Sequence, residues 1–386
     1  MKVVFTGAGG GHFYPLIAIA EALQDIVAER RLVAPKLYYL ADKPSDEQTL
    51  FATNLTFVRI PAGKLRRYFS LQNILDAFVT LQGFFVALGV MFRLYPDVVI
   101  SKGSYASVPV VLAAKFLRIP VIIHESDAKP GRANIMASRF ATRIAIAYES
   151  SIPFFPVKVR AKIAHVGIPI RKLLRTLPSK EEGVAHFALE PDVPTVLILG
   201  GSSGSLRINE TLLDALPDIL AGAQVIHQTG KVHIESVKER SHVVLATSPY
   251  SSRYHPLAYL SADELRAAAA SCDLVVSRAG ATSISEISLW GKPAILIPIP
   301  EAVSHDQRTN AYAYAHTGAA EVLEEGNLTP HVLASEIRRI TTDPVATQTM
   351  AAHAAGFSNP EAANLLAEEI IRIGLSHEPK SSAPVV

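Results

Sequence analysis

Cysteine is nearly absent. The one residue, Cys272, allows no disulfide framework and points to a reducing compartment. An excess of charge of one sign is also missing. Lys and Arg number 37 and Asp and Glu 35, a net charge of +2, which offers nucleic acid no broad basic surface. No apolar run approaches the roughly 20 residues of a membrane span. The longest candidate, GFFVALGVMF (83–92), ends at Arg93. The opening MKVVFTGAGG has neither the basic start nor the small-residue cleavage site of a signal peptide and reads as a buried strand. Two phosphate-binding signatures are missing as well. GAGGGH (7–12) fails G-x-G-x-x-G because His12 stands where the last glycine belongs, and no turn completes G-x-x-x-x-G-K-[ST]. Nicotinamide oxidoreductases and P-loop NTPases are thereby disfavoured. The chain also lacks Asp-x-Asp, so no built-in metal clamp and no cofactor are expected.

What is present is a well-packed α/β pattern. Hydrophobic residues make up 49% and charged residues 19% of 386, enough for two domains of roughly 150–200 residues each. Short apolar runs alternate with helical patterns: KVVFTG (2–7), KLYYLA (36–41), TFVRI (56–60), DVVIS (97–101), VIIHE (121–125) and RIAIA (143–147). Strands apolar on both faces and separated by helices imply a parallel sheet covered on each side. The pattern restarts at PTVLILGGSSGSLRINETLLDAL (194–216) and continues through AQVIHQTG (223–230), HVVLAT (242–247), DLVVSRAG (273–280) and PAILIPI (293–299). Two successive doubly wound sheets are the simplest reading. The boundaries read as 1–160, 161–358, a closing helix at 359–374 and a disordered tail at 375–386.

Three glycine turns fall at the expected carboxyl ends of strands: GAGGGH (7–12), GGSSGS (200–205) and the turn at Gly280 in SRAGATSISEIS (277–288). Backbone N–H groups at a helix start favour anions, and Ser202, Ser203, Thr282 and Ser283 add hydroxyl donors. The plainer alternative is that glycine and serine only cap helices tightly against strands. Glu286, six residues beyond Gly280, is placed to accept both hydroxyls of a ribose whose phosphates sit at the helix start.

Four blocks in register, GAGGGHFYPLIAIAEAL, SKGSYASVPVVLAAKFLRIPVIIHESDAKPGRAN, GGSSGSLRINETL and SRAGATSISEISLWGKPAILIPIP…SHDQRTNAYAYAHTGAA, resemble the MurG family over roughly residues 1–373. The resemblance implies a GT-B fold: two Rossmann-like, doubly wound parallel-sheet domains with a cleft between them. It also implies inverting transfer of GlcNAc from UDP-GlcNAc to polyprenyl-diphosphate-linked MurNAc-pentapeptide in peptidoglycan synthesis. The implied setting is peripheral, on the inner face of the cell membrane, beside other cell-wall synthesis proteins. By the same resemblance the donor meets Ser202, Ala281, Thr282, Ser283, Glu286, Gln307, Asn310 and Arg171, while Gly9, Gly10, Gly11 and His12 face the acceptor. Departures from the family include Ser126-Asp127 where Gln-Asn is common, and Ile168 and Ser203 where Asn and Gln are common.

An inverting displacement needs one base, for the acceptor hydroxyl, and stabilisation of the departing UDP. His12 is the leading candidate base, with Asp127 and Glu125 as carboxylate rivals. The stretch 63–93 carries Lys64, Arg66, Arg67 and Arg93 around Phe69, Phe78, Phe84, Phe85 and Phe92. It reads either as a core helix with a solvated basic end or as a surface for anionic membrane. A UDP-GlcNAc 2-epimerase, a transferase using another glycolipid and a non-catalytic sugar-nucleotide-binding subunit are the competing readings.

Overall fold

The computed structural model describes residues 1–64, 72–201, 204–303 and 305–376. The chain divides into two compact units. One is Met1–Lys172 with the chain from Pro360 onward, and the other is Leu173–Asn359.

The first unit is built on a seven-stranded sheet. Its strands are β1 (Lys2–Thr6), β2 (Lys36–Ala41), β3 (Leu55–Arg59), β4 (Val98–Ser101), β5 (Val121–Glu125), β6 (Arg143–Ile146) and β7 (Ile163–His165). All pair in parallel, in the order β3-β2-β1-β4-β5-β6-β7. Alternation along a strand assigns its residues to two cores. Val3 and Phe5 join one apolar cluster with the helices Phe13–Glu29 and Ala362–Leu375, while Val4 joins another with the helix Val108–Phe116. Each buried Val, Ile or Phe side chain contributes about 1.5–3 kcal/mol, so burial on both faces outweighs the weak strand preference of any single residue.

The second unit repeats the plan with six parallel strands, β8 (Thr195–Leu199), β9 (Gln224–Gln228), β10 (Tyr254–Leu257), β11 (Leu274–Ser277), β12 (Ala294–Leu296) and β13 (Ala320–Val322), in the order β10-β9-β8-β11-β12-β13. Val196 and Ile198 face one core, and Leu197 and Leu199 the other. The sheet class expected from the alternating pattern is therefore what the chain adopts.

Three expectations differ from the structure. HVVLAT is not a strand: His242–Val244 form the last turn of the helix Ile234–Val244. The third strand of the sheet is Tyr254–Leu257, whose Pro256 conceals it in the sequence; proline is tolerated because β10 lies at the sheet edge. The division between units falls at 172/173 where the sequence reading has 160/161, because β7 pairs with β6. Finally, the apolar run at 83–92 belongs to one continuous helix, Gln72–Leu94. Its segment Ile74–Leu94 is long and apolar enough, by length and composition, to cross a membrane. Thr80 and Gln82 interrupt the apolar run without ending the helix.

That helix is packed along one side only. Ala87 and Met91 are buried, and Phe84 meets Phe116 edge to face, with ring centroids 6.4 Å apart. Gly83 allows the close approach: a Cβ there would lie 1.8 Å from the Pro61 carbonyl oxygen, whereas one on Gly89 would meet nothing within 4 Å. Replacing a helical glycine by alanine ordinarily gains about 0.5–1 kcal/mol. Gly89→Ala should therefore raise the stability of the first unit by about that amount. Gly83→Ala should lower it by about 1–3 kcal/mol, because backbone overpacking outweighs the propensity gain. Urea denaturation of the two variants decides; equal effects would contradict this packing.

Candidate active site

In a parallel sheet every strand exposes its carboxyl end at the same edge, and a crevice opens where the strand order reverses. In the first unit that point lies between β1 and β4. The turn after β1 is tied down at its base. The Tyr39 hydroxyl donates to the Gly7 carbonyl at 2.8 Å, and Ala8 N–H donates to Ser104 Oγ at 3.0 Å. Its tip, Gly10 and Gly11, is exposed, and Gly10 has φ +68°. Gly9 is half-buried. Ser104 holds φ +76°, a strained value for a residue with a side chain, offset in part by the bond from Ala8. A Cβ at Gly103, φ +85°, would fall 2.8 Å from Asn134 Nδ2.

His12 precedes the helix Phe13–Glu29 and is half-buried. Its Nδ1 lies 3.2 Å from the Lys102 carbonyl oxygen. A carbonyl can only accept, so Nδ1 carries the proton and Nε2 is the basic nitrogen of the neutral ring.

From β5 come His124 and Glu125. His124 Nε2 donates to the Gly167 carbonyl at 2.8 Å; burial, then the Lys102 charge, hold its pKa well below the usual histidine range. Glu125 anchors the loop that follows. Oε1 accepts from Asp127 N–H at 2.9 Å, and Oε2 accepts from Gly131 N–H and Asn134 Nδ2, both at 2.9 Å. Asp127 itself is half-exposed. Burial, then repulsion from Asp127, push the Glu125 carboxyl up to about 7. The structure thus sets the two carboxylates apart: Glu125 is buried and holds the loop, whereas Asp127 is half-exposed.

The second unit repeats the geometry between β8 and β11. Gly201 and Gly204 have φ +88° and +77°, and a Cβ on Gly204 would lie 2.1 Å from the Thr229 carbonyl oxygen. Gln228 Nε2 donates to the Gly201 carbonyl at 3.2 Å. Ser202 and Ser203 lie outside the described residues. Ser205 caps the helix Leu206–Leu220 by accepting from Ile208 N–H. The helix Ala281–Leu289 starts after Gly280 with no side-chain cap and no acidic residue in its first turn, an arrangement open to an anion. Ala281 is buried, whereas Thr282, Ser283 and Glu286 are half-exposed; Glu286 is four residues past Thr282 and three past Ser283, on one helix face.

Gln307 Oε1 accepts from Ile299 N–H at 3.2 Å, which fixes the exit of β12 and leaves its NH₂ as donor. Asn310 is fully buried. Arg171 belongs to the first unit, where its Nε lies 3.5 Å from Glu21 Oε1 and its guanidinium 5.8 Å from the Tyr14 ring centroid.

Sequence reasoning missed Arg278. This mostly buried side chain joins the second and third glycine turns, donating to Ser205 Oγ at 2.7 Å and to the Ile297 carbonyl at 3.2 Å, and pairing with Glu325 Oε2 at 2.6 Å. A cation directly after the buried strand Leu274–Ser277 was the available signal.

Models of the glycosyltransferase family 28 N-terminal and C-terminal domains match residues 3–146 and 195–366. The chain is 36% identical over 345 residues to a protein of Lachnospira eligens, covering 89% of this chain and 91% of that one. It is 34% identical over 342 residues to a protein of Treponema denticola, covering 87% of each. Both are named UDP-N-acetylglucosamine–N-acetylmuramyl-(pentapeptide) pyrophosphoryl-undecaprenol N-acetylglucosamine transferase. The chain belongs to glycosyltransferase family 28, in its MurG group. Among solved structures, Acinetobacter baumannii MurG superposes with a TM-score of 0.72 at 24% identity, over 96% of this chain and 99% of that one. A UDP-GlcNAc 2-epimerase from Neisseria meningitidis, solved with UDP-GlcNAc, gives 0.67 at 15% identity, over 97% and 100%. Likeness at these identities speaks for the fold that family 28 shares with the epimerases.

The loop geometry around Glu125 yields a direct test. Glu125→Ala removes three hydrogen bonds, from Asp127 N–H, Gly131 N–H and Asn134 Nδ2, each worth about 0.5–1.5 kcal/mol, and leaves the buried Asn134 amide only its longer bond to the His124 carbonyl at 3.3 Å. Urea unfolding of the first unit should show a loss of at least about 2 kcal/mol. A variant as stable as the parent would remove Glu125 from its anchoring role.

Proposed function

We propose that this chain transfers N-acetylglucosamine from UDP-N-acetylglucosamine to the MurNAc of a polyprenyl-diphosphate-linked MurNAc-peptide, with inversion at the anomeric carbon. Identity along most of the chain to relatives named for that reaction supports the reading. The observation that carries its chemistry is the bond from His12 Nδ1 to the Lys102 carbonyl, which leaves Nε2 as the basic nitrogen beside an exposed glycine tip.

On this reading the acceptor hydroxyl oxygen attacks C1 of GlcNAc while its proton passes to His12 Nε2. The bond from C1 to the diphosphate oxygen breaks, and UDP departs with the electron pair. The acceptor lies against Gly9, Gly10 and Gly11. The departing diphosphate meets N–H groups at the start of the helix Ala281–Leu289 and the hydroxyls of Thr282, Ser283 and Ser202, in place of a metal clamp. Glu286 takes the ribose hydroxyls, Gln307 and Asn310 orient the sugar, and Arg171 contacts the nucleotide. Asp127 is the alternative base.

His12→Ala should lower turnover at least about 10²-fold while UDP-GlcNAc affinity is retained. The readout is UDP release with and without lipid-linked MurNAc-peptide. Near-normal turnover removes His12 as the base. Acceptor-independent isomerisation of the sugar in the parent enzyme identifies an epimerase instead.

The same reading places the protein peripherally on the inner face of the cell membrane. Its support is the helix Gln72–Leu94, which presents Ile74, Leu75, Phe78, Leu81, Phe85 and Phe92 to solvent, Phe78 at 66% and Phe85 at 61% exposure. Exposed Lys64 and Arg93 flank this face; Arg66, Arg67 and Phe69 lie outside the described residues. Apolar side chains enter the acyl boundary as cations meet anionic headgroups. Flotation with anionic liposomes at low salt should recover the parent protein and lose most of a Phe78→Ser, Phe85→Ser variant; equal recovery argues against this surface.

A further inference from the structure

The first unit buries a charge that the reaction as described does not use. Lys102 follows β4 directly and is 1% exposed. Its backbone is engaged at both ends, the N–H donating to the Thr6 carbonyl at 2.9 Å and the carbonyl accepting from His12. Its ammonium has no hydrogen-bond partner among the described residues. A cation withdrawn from water in this way is costly unless negative charge stands near it.

Ser101 pairs with Ile123, which sets Lys102 beside the end of β5, and Gly103 packs against Asn134, whose amide donates to Glu125 Oε2. The titratable groups around Lys102 are Glu125 and His124 at that strand end, Asp127 in the loop beyond it, and His12 on the glycine turn. His124, buried and neutral, supplies no compensating charge. The compensation comes from Glu125 and Asp127, and it is mutual. A buried carboxyl such as Glu125 ionises beside a second carboxylate only at a cost that a nearby cation reduces. Burial brings the Lys102 ammonium down to about 8, opposed first by Glu125 and then by Asp127.

We propose that Lys102 is a positioning residue: its buried ammonium is the counter-charge that lets Glu125 and Asp127 stand together as carboxylates, and so sets the charge the acceptor meets at Asp127. The inference rests on the functional reading only for what Asp127 meets; the charge balance is independent of it. It follows that Asp127→Asn, which removes the like charge, makes Lys102 dispensable.

The test uses the full chain as parent, Lys102→Met, Asp127→Asn and the double variant. The first readout is the urea midpoint from pH 5 to 9. A carboxyl whose folded pKa is raised gives stability that is present below the unfolded value, near 4.5, and lost as pH rises through the folded value. Lys102→Met should therefore lose midpoint more steeply than the parent between about pH 5 and 8, and the double variant should not. The second readout is kcat/KM for acceptor-dependent UDP release. Lys102→Met should move the acid limb up by about one pH unit or more and cost at least about tenfold at pH 7. In the Asp127→Asn background the same substitution should cost less than about threefold.

Equal fold-losses in both backgrounds, or a urea profile unchanged by Lys102→Met, overturn the proposal. Should Lys102→Met fail to fold, Lys102→Gln takes its place. Failure of both unless Asp127→Asn is present supports the coupling, and failure in either background overturns it. A parent that releases no UDP but shows the stated urea profiles sinks the functional reading and leaves the charge balance standing.

Discussion

A parallel sheet must bury both of its faces, and each unit is organised around that demand. The helices that cover the faces leave polar backbone accessible mainly at the ends of the strands. Helix macrodipoles then favour anions at the carboxyl edge, where each following helix begins. In both units the strand order reverses next to the first strand of the sheet, at β1/β4 and at β8/β11. Glycine turns and hydroxyl residues gather at those two points, with His12 and Lys102 at the first and Arg278 at the second. The core runs right up to them: Phe5 and Thr6 are fully buried, and only a few residues separate them from the exposed Gly10.

That edge places charge in partly dry surroundings, and the two units deal with it differently. In the second, Arg278 is hydrogen-bonded and ion-paired. It donates to Ser205 Oγ and to the Ile297 carbonyl and pairs with Glu325, so the charge serves to lock two turns together. Below it, His227 bridges Tyr254 and Asn209, and Asn209 donates to the Thr229 carbonyl against which Gly204 packs. Burial brings the His227 imidazole down to about 3, so this chain of hydrogen bonds stays neutral at physiological pH. In the first unit, Lys102 is balanced by carboxylates without a direct hydrogen bond, and the backbone carbonyl of the same residue sets the tautomer of His12. A satisfied cation is structural. An ammonium balanced only through space leaves the local charge adjustable.

Fold likeness alone would not choose between a sugar transferase and a 2-epimerase, since solved examples of both superpose along nearly the whole chain. The difference rests on identity to named transferases and on particular residues. One is a histidine whose tautomer suits proton acceptance. Another feature is the apolar helix Gln72–Leu94, which turns large side chains outward while its buried side packs on the unit.

The sequence by itself determined the class of fold. Alternation of apolar strands and helices specifies two doubly wound sheets because both faces of each strand have to be covered, whatever the details of packing. It also located the glycine turns and, through the broken fingerprint at His12, argued against a dinucleotide enzyme. Local pattern failed where long-range pairing decides: HVVLAT is β-branched yet ends a helix, and Tyr254–Leu257 is a strand despite Pro256 because it lies at an edge. The site was legible as a set of residue types and not as a set of roles. Only the tertiary structure separated Glu125, whose two oxygens hold a loop, from the half-exposed Asp127, and only it disclosed Arg278 between two turns and Lys102 beneath the glycine loop. The reason is physical: burial and hydrogen bonding fix the charge and direction of a side chain, and both depend on partners many residues away.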